Sequence, residues 1–250
     1  QDIDAFMRQE NVLLAFALPE VPLAWFDIFL PEHELMSGIL SGAFEITTDT
    51  AGDIHLKPVK ALTITGFALM QEDKTVVEGL NLTVLPRVSY RGDALDVELH
   101  ELMADGGEGT VVTADFTATV PLGEQPGAIN ARATADVELH RLVDLLAIEQ
   151  SGRQSLPQKV SLDFQAAIQQ QPDAVVVNTL DANVLLDKKT RLLHLDLLQP
   201  LVINNTATGN RFGNAQGSLA TLNISDIQLG WFSAFVPDTT LKGKLQRADF

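Results

Sequence analysis

The chain predicts a mainly β fold, a large antiparallel sheet with short aromatic helices. Three observations carry that reading. The first is period-two alternation. Val160, Leu162, Phe164, Ala166 and Ile168 fall on one face of a strand, and Ser161, Asp163, Gln165 and Ala167 fall on the other, as in a half-buried strand. The second is turn-forming sequence at intervals of roughly ten to fifteen residues, the spacing of a hairpin meander. The third is the scarcity of helical periodicity.

Taken in order, residues 1–34 read as a strand followed by a short aromatic helix at a module junction. Pro22–Leu30 crowds Leu23, Trp25, Phe26, Ile28, Phe29 and Leu30 between prolines. Proline in the first turn and just past the end are a helix's favoured start and stop. Residues 35–140 form a β-rich lobe, with strands at Ile54–Leu56, Leu62–Met70, Thr75–Val84, Val88–Tyr90, Ala94–Leu102, Thr110–Val120 and Ala131–Leu139. The turns between them fall at Asp49–Asp53, Gln71–Lys74, Arg91–Asp93, Asp105–Gly109 and Leu122–Gly127. Residues 141–157 are helix and linker, the helical pattern spanning Leu139–Glu149. A second β-rich lobe occupies 158–223. Its strand through Ile168 turns at Gln169–Asp173 and returns as Val175–Leu186. After Lys188-Lys189 a single third strand, Leu192–Val202, sets Leu193, Leu195 and Leu197 on one face. Residues 224–250 begin a further repeat.

That last assignment rests on an internal likeness. Val21–Pro31 (VPLAWFDIFLP) and Ile227–Pro237 (IQLGWFSAFVP) align at an offset of 206 (Trp25 to Trp231), matching Leu23/Leu229, Trp25/Trp231, Phe26/Phe232, Phe29/Phe235 and Pro31/Pro237. After a one-residue slip, Gly38 matches Gly243. The pattern predicts one long repeat and the opening of the next, a segment of a longer array.

Composition removes several function classes. Apolar residues at 46% and charged ones at 20% are those of a folded domain, not a disordered chain. A net charge of −16 without a cation cluster excludes a nucleic-acid interface and disfavours adsorption to anionic membranes. With no cysteine, disulfides and thiolate metal sites are excluded. No apolar run reaches the roughly 18 residues of a membrane-spanning helix.

Nothing in the sequence reads as an enzyme or a cofactor site. His33, His55, His100, His140 and His194 are scattered without metal-ligand spacing. Glu98 and His100 share a strand face, which is half of an acid–base pair and equally an ordinary polar face. Asp105–Gly109 (DGGEG) has the composition of a calcium loop without its alternating carboxylates, and reads as a turn. No metal or organic cofactor is expected.

The cadence of Leu35–Ile46 (LMSGILSGAFEI), with Leu35, Gly38, Leu40, Gly42, Phe44 and Ile46, resembles the AsmA-like family of bacterial envelope proteins, the TamB–YhdP–YdbH type. Leu241, Gly243 and Leu245 begin the same phrase again, and Val160–Ile203 shares its texture. The resemblance implies an extended, strongly curved β-groove that is apolar from end to end. It further implies a periplasmic segment of an inner-membrane-anchored protein that conducts phospholipid acyl chains towards the outer membrane, with a protein partner in the periplasm or outer membrane. The candidate groove residues are Val160, Leu162, Phe164, Ile168, Val175, Val177, Leu193, Leu195 and Leu197, with Trp25, Phe29, Trp231 and Phe235 at module ends. Alternation alone equally allows a β-sandwich with a dry core, which would make the chain a non-catalytic structural or interaction module.

Overall fold

The computed structural model describes residues 11–29, 34–71, 74–123, 127–146, 156–171, 174–206, 209–213, 217–228, 230–231 and 243–249. Among these, strand dominates. β1 (Asn11–Pro22) runs into a 3-10 segment, Leu23–Phe29, and then come β2 (Glu34–Thr48), β3 (Ile54–Gln71), β4 (Lys74–Tyr90) and β5 (Ala94–Gly106). β6 (Gly109–Pro121) and β7 (Ala128–Glu138) lead into the short helix α1 (Leu139–Leu145). The rest comprises β8 (Lys159–Gln171), β9 (Ala174–Leu186), β10 (Thr190–Leu197), β11 (Leu201–Thr206), β12 (Gly209–Phe212), β13 (Ala220–Gln228) and β14 (Lys244–Asp249).

All fourteen belong to one sheet, whose hydrogen-bonded path is β1-β2-β3-β4-β5-β6-β7-β8-β9-β10-β13-β14, with β11 joined to β9 and β12 to β11. The path does not close on itself, and the sandwich alternative, which needs two facing sheets, is not what the described strands form. No helix among the described residues is long and apolar enough to cross a membrane. The chain divides into two compact units, residues 1–115 with 141–148, and residues 116–140 with 149–250. The limits between the units thus fall within β6, within α1 and at 148/149.

In the first unit β1 to β5 pair antiparallel in sequence order. Two breaks between expected strands are absent here. Lys57–Ala61 and Leu85–Arg87 separate expected strands, yet β3 and β4 run straight through them. Pro58 and Pro86 lie beside shifts of register, where a residue without an N–H is tolerated. The bulges shift the phase of alternation without ending the strand.

The aromatic segment is 3-10 rather than α-helical. It is tied down by Leu23, which is 8% exposed and lies over Gly38. A Cβ at Gly38 would come within 2.7 Å of the Leu23 Cδ1. In the same unit Phe16 and Phe44 stack with ring centroids 5.4 Å apart. The α1 helix covers Leu139–Leu145 of the expected Leu139–Glu149, of which residues 147–149 lie outside the described residues, and it buries Val143.

In the second unit β7 pairs β8, β8 pairs β9, and β9 pairs β10, all antiparallel. The single third strand expected at Leu192–Val202 is two strands. Pro200 has no N–H to donate, and at Leu198 the backbone leaves the ladder to bond the Leu219 carbonyl at 2.9 Å. β10 consequently lies between β9 and β13, while β11 takes the other end of β9.

Candidate apolar sheet faces

Residues directly opposite in an antiparallel pair project from the same face, so register assigns every side chain to a side. On β8, Val160, Leu162, Phe164 and Ala166 stand opposite Leu186, Val184, Ala182 and Leu180 of β9. Between Ala167 and Ile168 the register slips, leaving Asn178 as an extra residue, so Ile168 then faces Val177. The slip inverts the parity of β9. That is why Val175 and Val177 join the same face as Leu180 and Val184, although they differ by an odd number of residues.

β10 adds Leu193 and Leu195, opposite Val184 and Ala182, and Leu197 follows at the two-residue period. The nine candidates Val160, Leu162, Phe164, Ile168, Val175, Val177, Leu193, Leu195 and Leu197 therefore lie on one face of the second unit's sheet.

The sequence reading missed the flanks of that face. β7 contributes Ile129, Ala131, Ala133, Ala135 and Val137 opposite the β8 candidates. β13 contributes Leu222 and Ile224 opposite Leu195 and Leu193. Alternation in AINARATADVE was the available signal, muted because three of the five residues it puts on this face are alanine. Across these paired positions of β7 to β10 and β13, the face carries no Asp, Glu, Lys, Arg or His. The reverse face is polar, with Asp163, Gln165, Asp181, Asn183, His194 and Asp196. There Asp136 receives hydrogen bonds or ion pairs from Ser161 at 2.5 Å, Lys188 at 2.7 Å and Lys159 at 3.2 Å. Burial pushes the Asp136 carboxyl up, but those three partners outweigh it and bring the group down from 3.8 to about 2.

A second apolar face, which the sequence reading did not identify, lies in the first unit. Leu14 and Phe16 stand opposite Ile46 and Phe44, Ile46 opposite Leu56, Leu56 opposite Val88, and Val88 opposite Val97. Its other side pairs Glu45 with Lys57 and Arg87 with Glu98, cross-strand opposite charges of the kind that favour this register.

Several members of both faces are open to solvent. Leu14 is 53% exposed, and Phe16, Ile54, Tyr90 and Leu162 are each 39–40% exposed. A closed core would bury them. Trp25, the candidate at a module end, is 70% exposed, and Phe26 40%. Trp231 is half-buried in a 3-10 turn with Gly230. The side chain of Phe29, and all of Phe235, lie outside the described residues, as do His33 and most of the second aromatic segment.

The polar candidates form local clamps. His100 bridges Glu98 at 3.1 Å and Asp115 at 3.4 Å, so the expected sharing of a face by Glu98 and His100 is met. His55 lies between the Ser89 hydroxyl at 3.0 Å and Asp49 at 3.3 Å. Asp49 at the same time accepts the Ala51 and Asp53 N–H groups, which holds the β2–β3 turn. The Asp105–Gly109 segment is the β5–β6 turn. It borders a cleft of about 390 Å³ beside α1, where Arg141 donates to the Thr110 carbonyl at 2.8 Å. No group of three metal-ligating side chains occurs among the described residues.

No family model, curated protein or solved structure matches this chain.

Proposed function

We propose that this chain is a segment of an AsmA-like envelope protein that shields or conducts phospholipid acyl chains along its apolar sheet faces, without catalysis. In this reading it works in the periplasm, as part of an inner-membrane-anchored protein that passes lipid to the outer membrane. The observation that carries the reading is an apolar face free of ionisable residues and partly open to water. An acyl chain of about 16 carbons exposed to water is unfavourable by on the order of 10 kcal/mol. A continuous apolar face offsets that without any directional bond, and so does not select a headgroup. The polar reverse face and the charge of −16 keep such a sheet from lying on anionic membrane.

The test is purification without detergent, followed by lipid extraction and mass spectrometry beside a soluble control of equal size. Phospholipid retained in stoichiometric amounts supports the proposal. Lipid no higher than in the control overturns it in favour of a non-catalytic β interaction module.

A further inference from the structure

The strand ends that lead into the two copies of the aromatic phrase pair in the same way. In the first, Val21 pairs with Leu40 and Pro22 with Ile39. In the second, Ile227 pairs with Leu245 and Gln228 with Lys244, the same positions once the offset and the one-residue slip are applied. Glu20 and Asp226 match at that offset, and both adopt positive φ, at 51° and 55°. Gly38 and Gly243 match too, with φ of 137° and 129°. Non-glycine residues with positive φ are uncommon, so their recurrence at equivalent places marks a true structural repeat. β13 and β14 are the counterparts of β1 and β2.

The counterparts differ in one respect. β13 is paired on both sides, with β14 and with β10. Among the described residues β1 pairs with β2 alone. The edge of β1 left unpaired among the described residues is the place that β10 fills beside β13. Proline and charge guard only the far end of this edge, at Pro19, Glu20 and Pro22; Asn11–Leu18 (NVLLAFAL) has neither, and Val12, Leu13 and Leu14 are more than half exposed, at 55%, 58% and 53%. Isolated sheets blunt such edges with charge, proline or covering elements. β14, by contrast, carries Lys244, Arg247 and Asp249.

We infer that the free edge of β1 is a docking site for a polypeptide strand of β10 type, added antiparallel. The pairing seen at β13 sets its register. Ile224, Asn223 and Leu222 oppose Leu193, His194 and Leu195, so their counterparts Leu18, Ala17 and Phe16 oppose the same three positions of the incoming strand. That strand has apolar residues at alternate positions, on the side of Phe16 and Leu18, and polar ones between. It extends the apolar face and closes the edge with backbone hydrogen bonds. The inference rests on the repeat geometry and stands whether or not the faces bind lipid.

Because the chain has no cysteine, disulfide trapping reads the register directly. The Ala17→Cys protein is mixed under a thiol–disulfide buffer with a synthetic peptide of sequence Thr190–Leu198 carrying Cys in place of His194. Comparison peptides carry Cys in place of Leu193 or Leu195. A one-residue displacement puts the thiol on the opposite face, so the matched peptide crosslinks at least about tenfold faster than either comparison. Ala15→Cys shows the same preference for Cys at Asp196. Both are small, exposed positions, and circular dichroism confirms that each variant is folded. Equal rates for all three peptides, or none above a free-cysteine control, overturn the inference.

Discussion

Gly38 and Asp136 concentrate two different kinds of constraint. Gly38 combines a positive φ of 137° with a side chain, Leu23, packed where its Cβ would be. Gly38→Ala therefore suffers both backbone strain and overpacking, and should destabilise by about 2–4 kcal/mol. Gly66 separates the two effects: its φ is 65° and nothing lies within 4 Å of a Cβ there, so Gly66→Ala should lose only about 1–2 kcal/mol. Urea titration of both variants checks the difference, and equal losses would show that Leu23 simply moves aside. Asp136 is a matter of charge. Its pKa is lowered on folding, so its contribution is present above the ordinary value of 3.8 and is lost as pH falls through about 2. Screening at this partly wet site holds that contribution to on the order of 1 kcal/mol. Melting temperature measured between pH 5 and 2 should fall less steeply in Asp136→Asn than in the parent. Parallel curves would mean that the Lys159 and Lys188 contacts are already dispersed by solvent.

Among elements, the strands show what alternation reveals and what it hides. β8 keeps an unbroken period of two, so Val160 to Ile168 were legible as one face from sequence alone. β9 does not, because Asn178 is a bulge, and the parity of Val175 and Val177 relative to Val184 becomes clear only through register. The same physics concealed the first unit's face. Bulges break the phase of β3 and β4, and the hydrophobic runs of β1 (VLLAFAL) carry no alternation to read. The aromatic segment was legible in position but not in type, since 3-10 and α turns share a short apolar signature. Exposure sharpens the mutational test of the β8–β10 face. Leu162 is 40% exposed, so Leu162→Asp should fold, with a loss of about 1–2 kcal/mol, while lowering retained acyl lipid several-fold. Ala166, 3% exposed on the same face, should not tolerate the change: Ala166→Asp buries an unpaired charge and should unfold the second unit. A fluorescence melt and lipid quantification on both variants separate the face's binding role from its packing role. If Leu162→Asp keeps its lipid, the acyl chain lies elsewhere.

For the molecule as a whole, the decisive property is that its apolar faces have a polar reverse and, among the described residues, lack a complete second layer. An acyl chain enclosed on all sides gains the full transfer energy, about 0.8 kcal/mol per CH₂. Two added carbons then tighten binding by more than tenfold. A chain lying on an open sheet removes water from one side only and gains roughly half of that, so two carbons should give roughly a fourfold step. Affinities of dodecanoyl, tetradecanoyl and hexadecanoyl probes, measured by displacement of a fluorescent fatty acid, therefore report the geometry of the site. A fourfold ladder that does not depend on the headgroup fits passive conduction along an open face, because weak, length-graded binding lets the cargo move on. A steeper ladder would mean an enclosed pocket, which retains lipid instead of passing it. Affinity flat with length would mean that the headgroup, not the chain, is held, and the apolar faces would then have to be surfaces for protein.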